Sequence, residues 1–231
     1  MGVWRTNATR SDDNPLVQLF HYHLVTSEVR NLEARYIGKL GFGLVARYGR
    51  IRETNVSVEA GTSWGELDRE GFKLRLSELE RSSVNIVLQP GHWPLPRVDH
   101  VGVVLDEDDF QAVLARAAAW NLPVQERGGR RTFVSTNAGY RIEVHPPRDW
   151  MDGLLETVDE FRLSELQLTT DKPAVKATAL ANILGVAREG DAVEIGDTVV
   201  RFLPGGPEGR PELHAERFDR RTAGAAHEGQ S

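Results

Sequence analysis

Apolar and polar positions recur along this chain in a pattern that outlines its elements. Three stretches begin alike: Phe20-HYHLVTSEVRNLEARYIGKLGF, Asp99-HVGVVLDEDDFQAVLARAAAWNLP and Ser164-ELQLTTDKPAVKATALANILGV. Each opens with a run rich in apolar and β-branched residues, which reads as a strand. Each then reaches a polar residue at the matching place, Ser27, Asp106 and Asp171, whose side-chain oxygen can accept from the first free N–H groups of a helix. Apolar residues follow at helical spacing: Val29, Leu32, Tyr36 and Leu40; then Phe110, Val113, Leu114 and Ala117; then Ala177, Leu180 and Leu184, with Gly185 as a stop. Strand-like runs come next. They are Gly43-LVARYG, Val56-SVEA and Val84-NIVLQP; Val124-QER, Thr132-FVST and Tyr140-RIEVHP; and Ala192-VEIG, Thr198-VVRFL and Leu213-HAERF. The repeated unit is therefore β-α-β-β-β. The expected fold class is α+β, with two βαβββ modules paired into a curved mixed sheet around a cleft and a third, more divergent module beside them.

The same pattern divides the chain. Residues 1–15 read as a flexible N-terminus, 16–97 as module 1 and 98–148 as module 2. Residues 149–218 read as a linker helix followed by module 3, and 219–231 as a disordered tail. The linker helix is expected in Arg148-DWMDGLLETVDEF. The segment from Ser63 to Arg81 is longer than a turn and reads as partly helical, a lid or an edge cover.

Composition narrows the chemistry. With 231 residues, 40% of them hydrophobic, the chain can bury one large core or two small ones. A net charge of −6 with no basic stripe argues against nucleic acid as a partner. No apolar run is long enough to cross a membrane, and Met1 to Asn14 lack the apolar stretch of a secretory leader, so a cytoplasmic protein is expected. There is no cysteine, which excludes disulfides and thiolate metal sites. Any metal must use His, Asp, Glu or backbone oxygen, a shell that suits Fe(II), Mn, Co, Ni or Zn.

Aligning the modules singles out a few such residues. On the first strands His21 falls on His100, and Glu165 takes that place in module 3. On the last strands Val84-NIVLQP lies over Tyr140-RIEVHP without a gap, so Glu143 falls on Val87. Alternate residues of a strand share a face. If the two modules pair side by side, their equivalent inner faces line one cleft. Two imidazoles and a carboxylate then form a facial triad with open coordination positions. His23 shares the strand face of His21, so either histidine can enter the cavity.

Phe20-HYHL…LGFGLV and Val98-DHVGVV…GYRIEVHPP resemble the vicinal oxygen chelate superfamily, which includes glyoxalase I, extradiol dioxygenases, methylmalonyl-CoA epimerase and the fosfomycin- and bleomycin-resistance proteins. The resemblance covers residues 16–148 well and 162–218 more weakly. It implies metal ligands at His21, His100 and Glu143. The fourth ligand usual in glyoxalases and epimerases would fall on Val87, which cannot ligate; Gln89 shares its face. A set of two His and one Glu is closer to the extradiol dioxygenases and implies Fe(II), with Mn, Ni, Co or Zn as alternatives. The departures are equally specific. Asn85 stands where those enzymes place an acid–base histidine, and Phe133 where they place a tyrosine. His23, or His92 in the Pro-rich connection, is then the candidate for proton transfer.

The expected function is a metal-dependent, dioxygenase-like activity on a small oxygen-bearing molecule. The alternatives are a lyase or isomerase with Mn, Ni or Zn, a metal-free drug-binding protein, and a degenerate scaffold. Among the remaining residues, His145 is either a hydrogen-bond donor to Glu143 or an edge-strand surface residue. Glu165 reads as a polar strand residue, His92 and Trp93 as an exposed linker, and His214 and Glu216 as surface. Phe133, Tyr140, Trp150 and Phe161 read as core. The odd number of modules suggests a homodimer.

Overall fold

The structure is a computed structural model that describes residues 17–127, 131–146 and 161–220. The first unit runs β1 (Val17–Thr26), α1 (Val29–Leu40), β2 (Gly43–Ile51), β3 (Thr54–Glu59), α2 (Trp64–Arg69), β4 (Phe72–Arg81) and β5 (Val84–Pro90). The second runs β6 (Arg97–Leu105), α3 (Glu107–Ala119), β7 (Val124–Arg127), β8 (Arg131–Ser135) and β9 (Arg141–His145). The third runs β10 (Phe161–Thr170), α4 (Pro173–Leu184), β11 (Arg188–Glu189), β12 (Ala192–Ile195) and β13 (Thr198–Pro204), and β14 (Glu212–Arg220) follows. All the strands join one mixed 14-stranded sheet. It is open and α+β, as the repeats imply.

Strand β6 is the branch point. It pairs with β1 antiparallel, with β9 parallel and, at Arg97, with β14 antiparallel, so three arms leave it: β1-β5-β4-β2-β3, β9-β8-β7 and β14-β10-β13-β12-β11. The long helices pack behind the sheet: α1 touches β4 and β5, α3 touches β6 and β7, and α4 touches β12 and β13. Their apolar stripes are the ones the spacing predicts, since Val29, Leu32, Tyr36, Phe110, Val113, Ala117, Ala177, Leu180 and Leu184 are all buried. Each such side chain contributes roughly 1.5–3 kcal/mol when it leaves water.

Local details differ from the expectations in instructive ways. Asp106 caps α3, accepting from the Asp109 amide, but Ser27 and Asp171 do not cap their helices. Instead Thr26 Oγ1 accepts from the Glu28 amide, and Pro173 at the first turn of α4 has no N–H to satisfy. The segment from Ser63 to Arg81 is not a lid. Ser63 and Glu66 form a reciprocal capping box that starts the short α2, and Phe72–Arg81 is a full sheet strand between β2 and β5. Alternating apolar and charged residues in FKLRLSELER carry that strand, which the length of the segment obscured. Pairing also moves the last strand of the third unit. Thr198–Pro204 lies parallel to β10, so β11, β12 and β13 complete the unit and β14 lies beyond it. Asp219 and Arg220, expected in the tail, belong to β14. Residues 221–231, the N-terminus through 16, the connecting helix expected after Arg148 and Trp150 within it lie outside the described residues.

Strand β14 stands to β10 as β6 stands to β1. Both pairs are antiparallel, and their register shifts fall at equivalent places: Leu19/His21 and His23/Leu24 in one, Leu163/Glu165 and Gln167/Leu168 in the other. Strand β14 also pins the third unit to the first. Phe218 stacks on Phe161, both rings meet Phe42, and the Tyr22 hydroxyl donates to Glu216 at 2.6 Å with the Tyr36 hydroxyl donating beside it. The Glu216 side chain is 1% exposed, so the surface position expected for it is wrong. The strand packs that face against α1 and β1, whose tyrosines supply its donors.

Burial raises the Glu216 pKa above its ordinary 4.5. The folded chain therefore holds that proton more tightly than the unfolded chain does. This contribution to stability is full below pH 4.5 and is lost as pH rises through the raised value. Urea unfolding of Glu216→Gln across this range should lack the slope that the parent shows, whereas an unchanged slope would mean that another group carries it.

Candidate metal centre

Pairing of the first strands assembles the centre. In β1, Tyr22 and Leu24 turn toward the helices and are fully buried, which leaves His21 and His23 on the cleft face. Across the β1–β6 ladder His21 lies opposite Gly102 and His23 opposite His100. Across the β6–β9 ladder Gly102 lies beside Glu143. The register also places His21 beside Asn85 and His100 beside Arg141, so Val87 and Glu143 are equivalent, as the ungapped alignment has it. Gly102 serves this approach: a Cβ there would stand 2.7 Å from the His21 Cβ.

His21, His23, His100 and Glu143 are all buried. His21 Nε2 is 3.2 Å from His100 Nε2 and 3.9 Å from Glu143 Oε2, and His100 Nε2 is 2.9 Å from that same oxygen. One ligand atom each from His21, His23 and His100 also falls within 4.8 Å of the others. The structure therefore brings His21, His23, His100 and Glu143 together, and two overlapping donor sets share His21 and His100.

The outer hydrogen bonds determine which atoms face inward. Glu78 and Glu80 both accept from Asn85 Nδ2, so the other end of that amide must be the acceptor. Asn85 Oδ1 lies 2.6 Å from His21 Nδ1, which must carry its proton and leave Nε2 facing the centre as a lone pair. His100 Nδ1 lies 2.8 Å from Asp99 Oδ2 in the same way. Burial pushes Asp99 up, but hydrogen bonds from His100 and Arg141 outweigh it and keep the carboxyl well below its usual range. His145 Nε2, 2.9 Å from Glu143 Oε1, holds that carboxylate so that Oε2 points inward. Burial acts to raise Glu143 too, and its contacts with His100, His145 and His21 outweigh that and hold the carboxyl well below its usual range. Two imidazole nitrogens and one carboxylate oxygen thus converge in a buried site. Such a cluster calls for a cation between its atoms, either a shared proton or a metal ion, and a mixed N/O set suits a divalent metal.

His23 supplies a second sign. Its Nε2 is buried and has no hydrogen-bond partner among the described residues. Burial, with His100 and His21 beside it, lowers this imidazole to about 3, and a hydrogen bond with Gln89 acts in the opposite direction. Burial and His100 lower His21 to about 4. Both rings are neutral near pH 7, the form in which imidazole ligates. Phe20 and Val87 line the cleft with the histidines, and Phe133 meets the His100 ring edge-on at 5.1 Å.

Three supporting residues were not singled out in the sequence. Asp99, Arg141 and Arg210 form a relay behind His100: Arg141 Nη2 donates to Asp99 Oδ2, and Arg210 Nη2 lies 2.7 Å from Asp99 Oδ1. Arg210 comes from the connection between β13 and β14, so the third unit reaches the centre through Asp99. The DH pair was a sequence signal for Asp99; nothing local marked Arg210. His145 is a donor to Glu143 and not a surface residue. His92 is exposed and stacks on Trp93, away from the cleft. In the third unit Glu165 takes the histidine position and Arg201 the position of Glu143; the two form an ion pair at 2.8 Å, with Arg217 at 3.4 Å. That pairing removes the donors a metal would use.

No protein-family model matches the chain, and no curated protein does. Solved structures do. A 4-hydroxymandelate synthase variant from Streptomyces coelicolor aligns with a TM-score of 0.53 at 14% identity, over 83% of this chain and 63% of that one. A Mn(II)-bound glyoxalase from Novosphingobium aromaticivorans aligns at 0.53 and 14%, over 87% and 64%. A halotolerant catechol dioxygenase aligns at 0.54 and 12%, over 89% and 70%. The fold is the one these synthase, glyoxalase and catechol dioxygenase structures share, the vicinal oxygen chelate fold. The chain spans less than two thirds of the first two proteins.

Asp99→Asn should weaken Co(II) binding by about 10–100-fold, the usual cost of losing the partner that orients a ligating histidine. Arg210→Gln should weaken it less. The Co(II) absorption band reports both, and an unchanged affinity in Asp99→Asn would show that the relay does not orient His100. Gly102→Ala should displace His21 and lower Co(II) affinity as well; wild-type affinity in that variant would show that the close strand approach is dispensable.

Proposed function

We propose that this protein is a divalent-metal enzyme in which His21, His100 and Glu143 hold the ion and His23 moves a proton. The observation that carries this reading is the convergence of two bare Nε2 atoms and one carboxylate oxygen, each fixed from behind by its own hydrogen bond. Two His and one Glu leave open coordination positions, the pattern of non-haem Fe(II) oxygenases, so Fe(II) and a small oxygen-bearing substrate are the favoured reading. Bound Fe(II) supplies Lewis acidity and redox chemistry toward O₂.

The protein groups have separable tasks. Asn85 and Asp99 hold the two rings against rotation, and His145 holds the carboxylate. Phe20, Val87 and Phe133 keep water from the inner wall. The buried Nε2 of His23 has no competing partner, so it is placed to accept a proton from a substrate hydroxyl entering the cleft. Asn85 cannot do this, and Phe133 has no proton to exchange.

A second reading has one observation behind it. His23 lies close enough to His21 and His100 to be a further donor. A more nitrogen-rich shell would suit Mn, Ni, Co or Zn and a glyoxalase- or epimerase-like lyase or isomerase reaction.

Metal analysis of chelator-free protein tests both. About one equivalent of iron in the wild type, lost in His100→Ala, is the expected result. In His23→Gln the iron should remain while turnover falls. If that variant loses metal as completely as His100→Ala, His23 is a ligand and the proton-transfer role fails. If no metal binds after reconstitution with each ion, the enzyme reading fails altogether.

A further inference from the structure

The cleft at the histidines does not end there. Its volume is about 360 Å³, and a groove of about 700 Å³ over β2, β3 and β4 adjoins it, with Tyr48 and Arg75 lining both. Each lies in the size range of small-ligand sites.

The two spaces differ in charge. In the cleft the carboxylates are matched by donors: Asn85 serves Glu78 and Glu80, and His145 serves Glu143, with Arg131 Nε 3.6 Å from the same carboxylate. The groove is lined by Arg50, Lys73 and Arg75 and by no carboxylate. None of these three cations forms an ion pair among the described residues. Arg50 Nε donates only to the neutral Asn55 Oδ1, at 3.1 Å. Arg50 and Lys73 are direct partners across the β2–β4 ladder, where like charges repel. A chain with 34 acidic and 28 basic residues thus places three cations together, two of them face to face, along the wall that leads from its candidate metal centre.

We propose that this groove binds an oxyanion, the carboxylate or phosphate of the substrate, through Lys73 and Arg75. An anion between the strands relieves the repulsion of Arg50 and Lys73 and adds charge-assisted hydrogen bonds. The other end of the same molecule then reaches the histidines past Tyr48. This inference rests on the metal-enzyme reading for the identity of the anion as substrate, but the anion site itself uses none of the proposed ligands.

Amide chemical shifts test it. Metal-free and Mn(II)-free Zn-loaded protein are each titrated with 3,4-dihydroxybenzoate, phenyl phosphate and, as the neutral control, catechol. At least one of the two anions should bind about tenfold more tightly than catechol, with shifts centred on β2 and β4, and the stronger one distinguishes carboxylate from phosphate. Lys73→Gln/Arg75→Gln, both exposed in the parent, should abolish the preference while metal content stays unchanged and thermal stability is not lowered. Equal affinity for anions and catechol, a preference that survives the double substitution, or shifts confined to another face each overturns the proposal. Anion binding in protein that takes up no metal would overturn the metal reading and keep the groove. Metal uptake without an anion preference would do the reverse.

Discussion

Strands β1 and β6 must lie antiparallel with two imidazoles on one face and little room between them, and most of the site follows from that constraint. The ladder places His21 against Gly102 and His23 against His100. The two halves of the ladder are symmetric in backbone only. Gly102 leaves space for one histidine, whereas His23 fills the corresponding space beside the other. This asymmetry turns a pseudo-symmetric strand pair into a centre with an inner face, formed by His21, His100 and Glu143, and a flank occupied by His23.

His21, His100 and Glu143 are tolerated this deep because each is satisfied from behind. Asn85, Asp99 and His145 take the outward-facing atoms, and the inward-facing atoms are left rich in electrons. The third unit contributes to that support and not to ligation. Its own equivalent positions are closed by Glu165 with Arg201, while Arg210 reaches across to Asp99. The unit is held in place from two sides. Arg116 binds carbonyls at the end of α4, and Tyr140 donates to the Lys176 carbonyl on one side; Glu216 meets the two tyrosines on the other.

The cleft combines this centre with an asymmetric charge pattern. Carboxylates gather near the candidate metal position and accept hydrogen bonds from their neighbours, while cations with no ion pair among the described residues lie further out on the β2–β4 wall. A ligand that is acidic at one end and oxygen-bearing at the other matches both regions. Tyr48 and Arg75, which line both spaces, are where specificity would be read.

Periodicity along the chain determined the repeated unit, the buried faces of the long helices, and the equivalence of His21 with His100 and of Val87 with Glu143. Those features follow from local rules: side chains alternate on strands and recur every three to four residues on helices. The chain pattern could not decide the place of Phe72–Arg81 or of β14, because sheet partners far apart in sequence are chosen by what each edge buries. It could not choose a role for His145 or reveal the burial of Glu216, since an alternating strand does not say which face meets a neighbour. Arg210 was invisible for a related reason: it lies in a connection whose only link to the centre is spatial. Which nitrogen of each imidazole faces inward was decided by tertiary structure alone, because it depends on Glu78 and Glu80 orienting Asn85 and on two arginines holding Asp99.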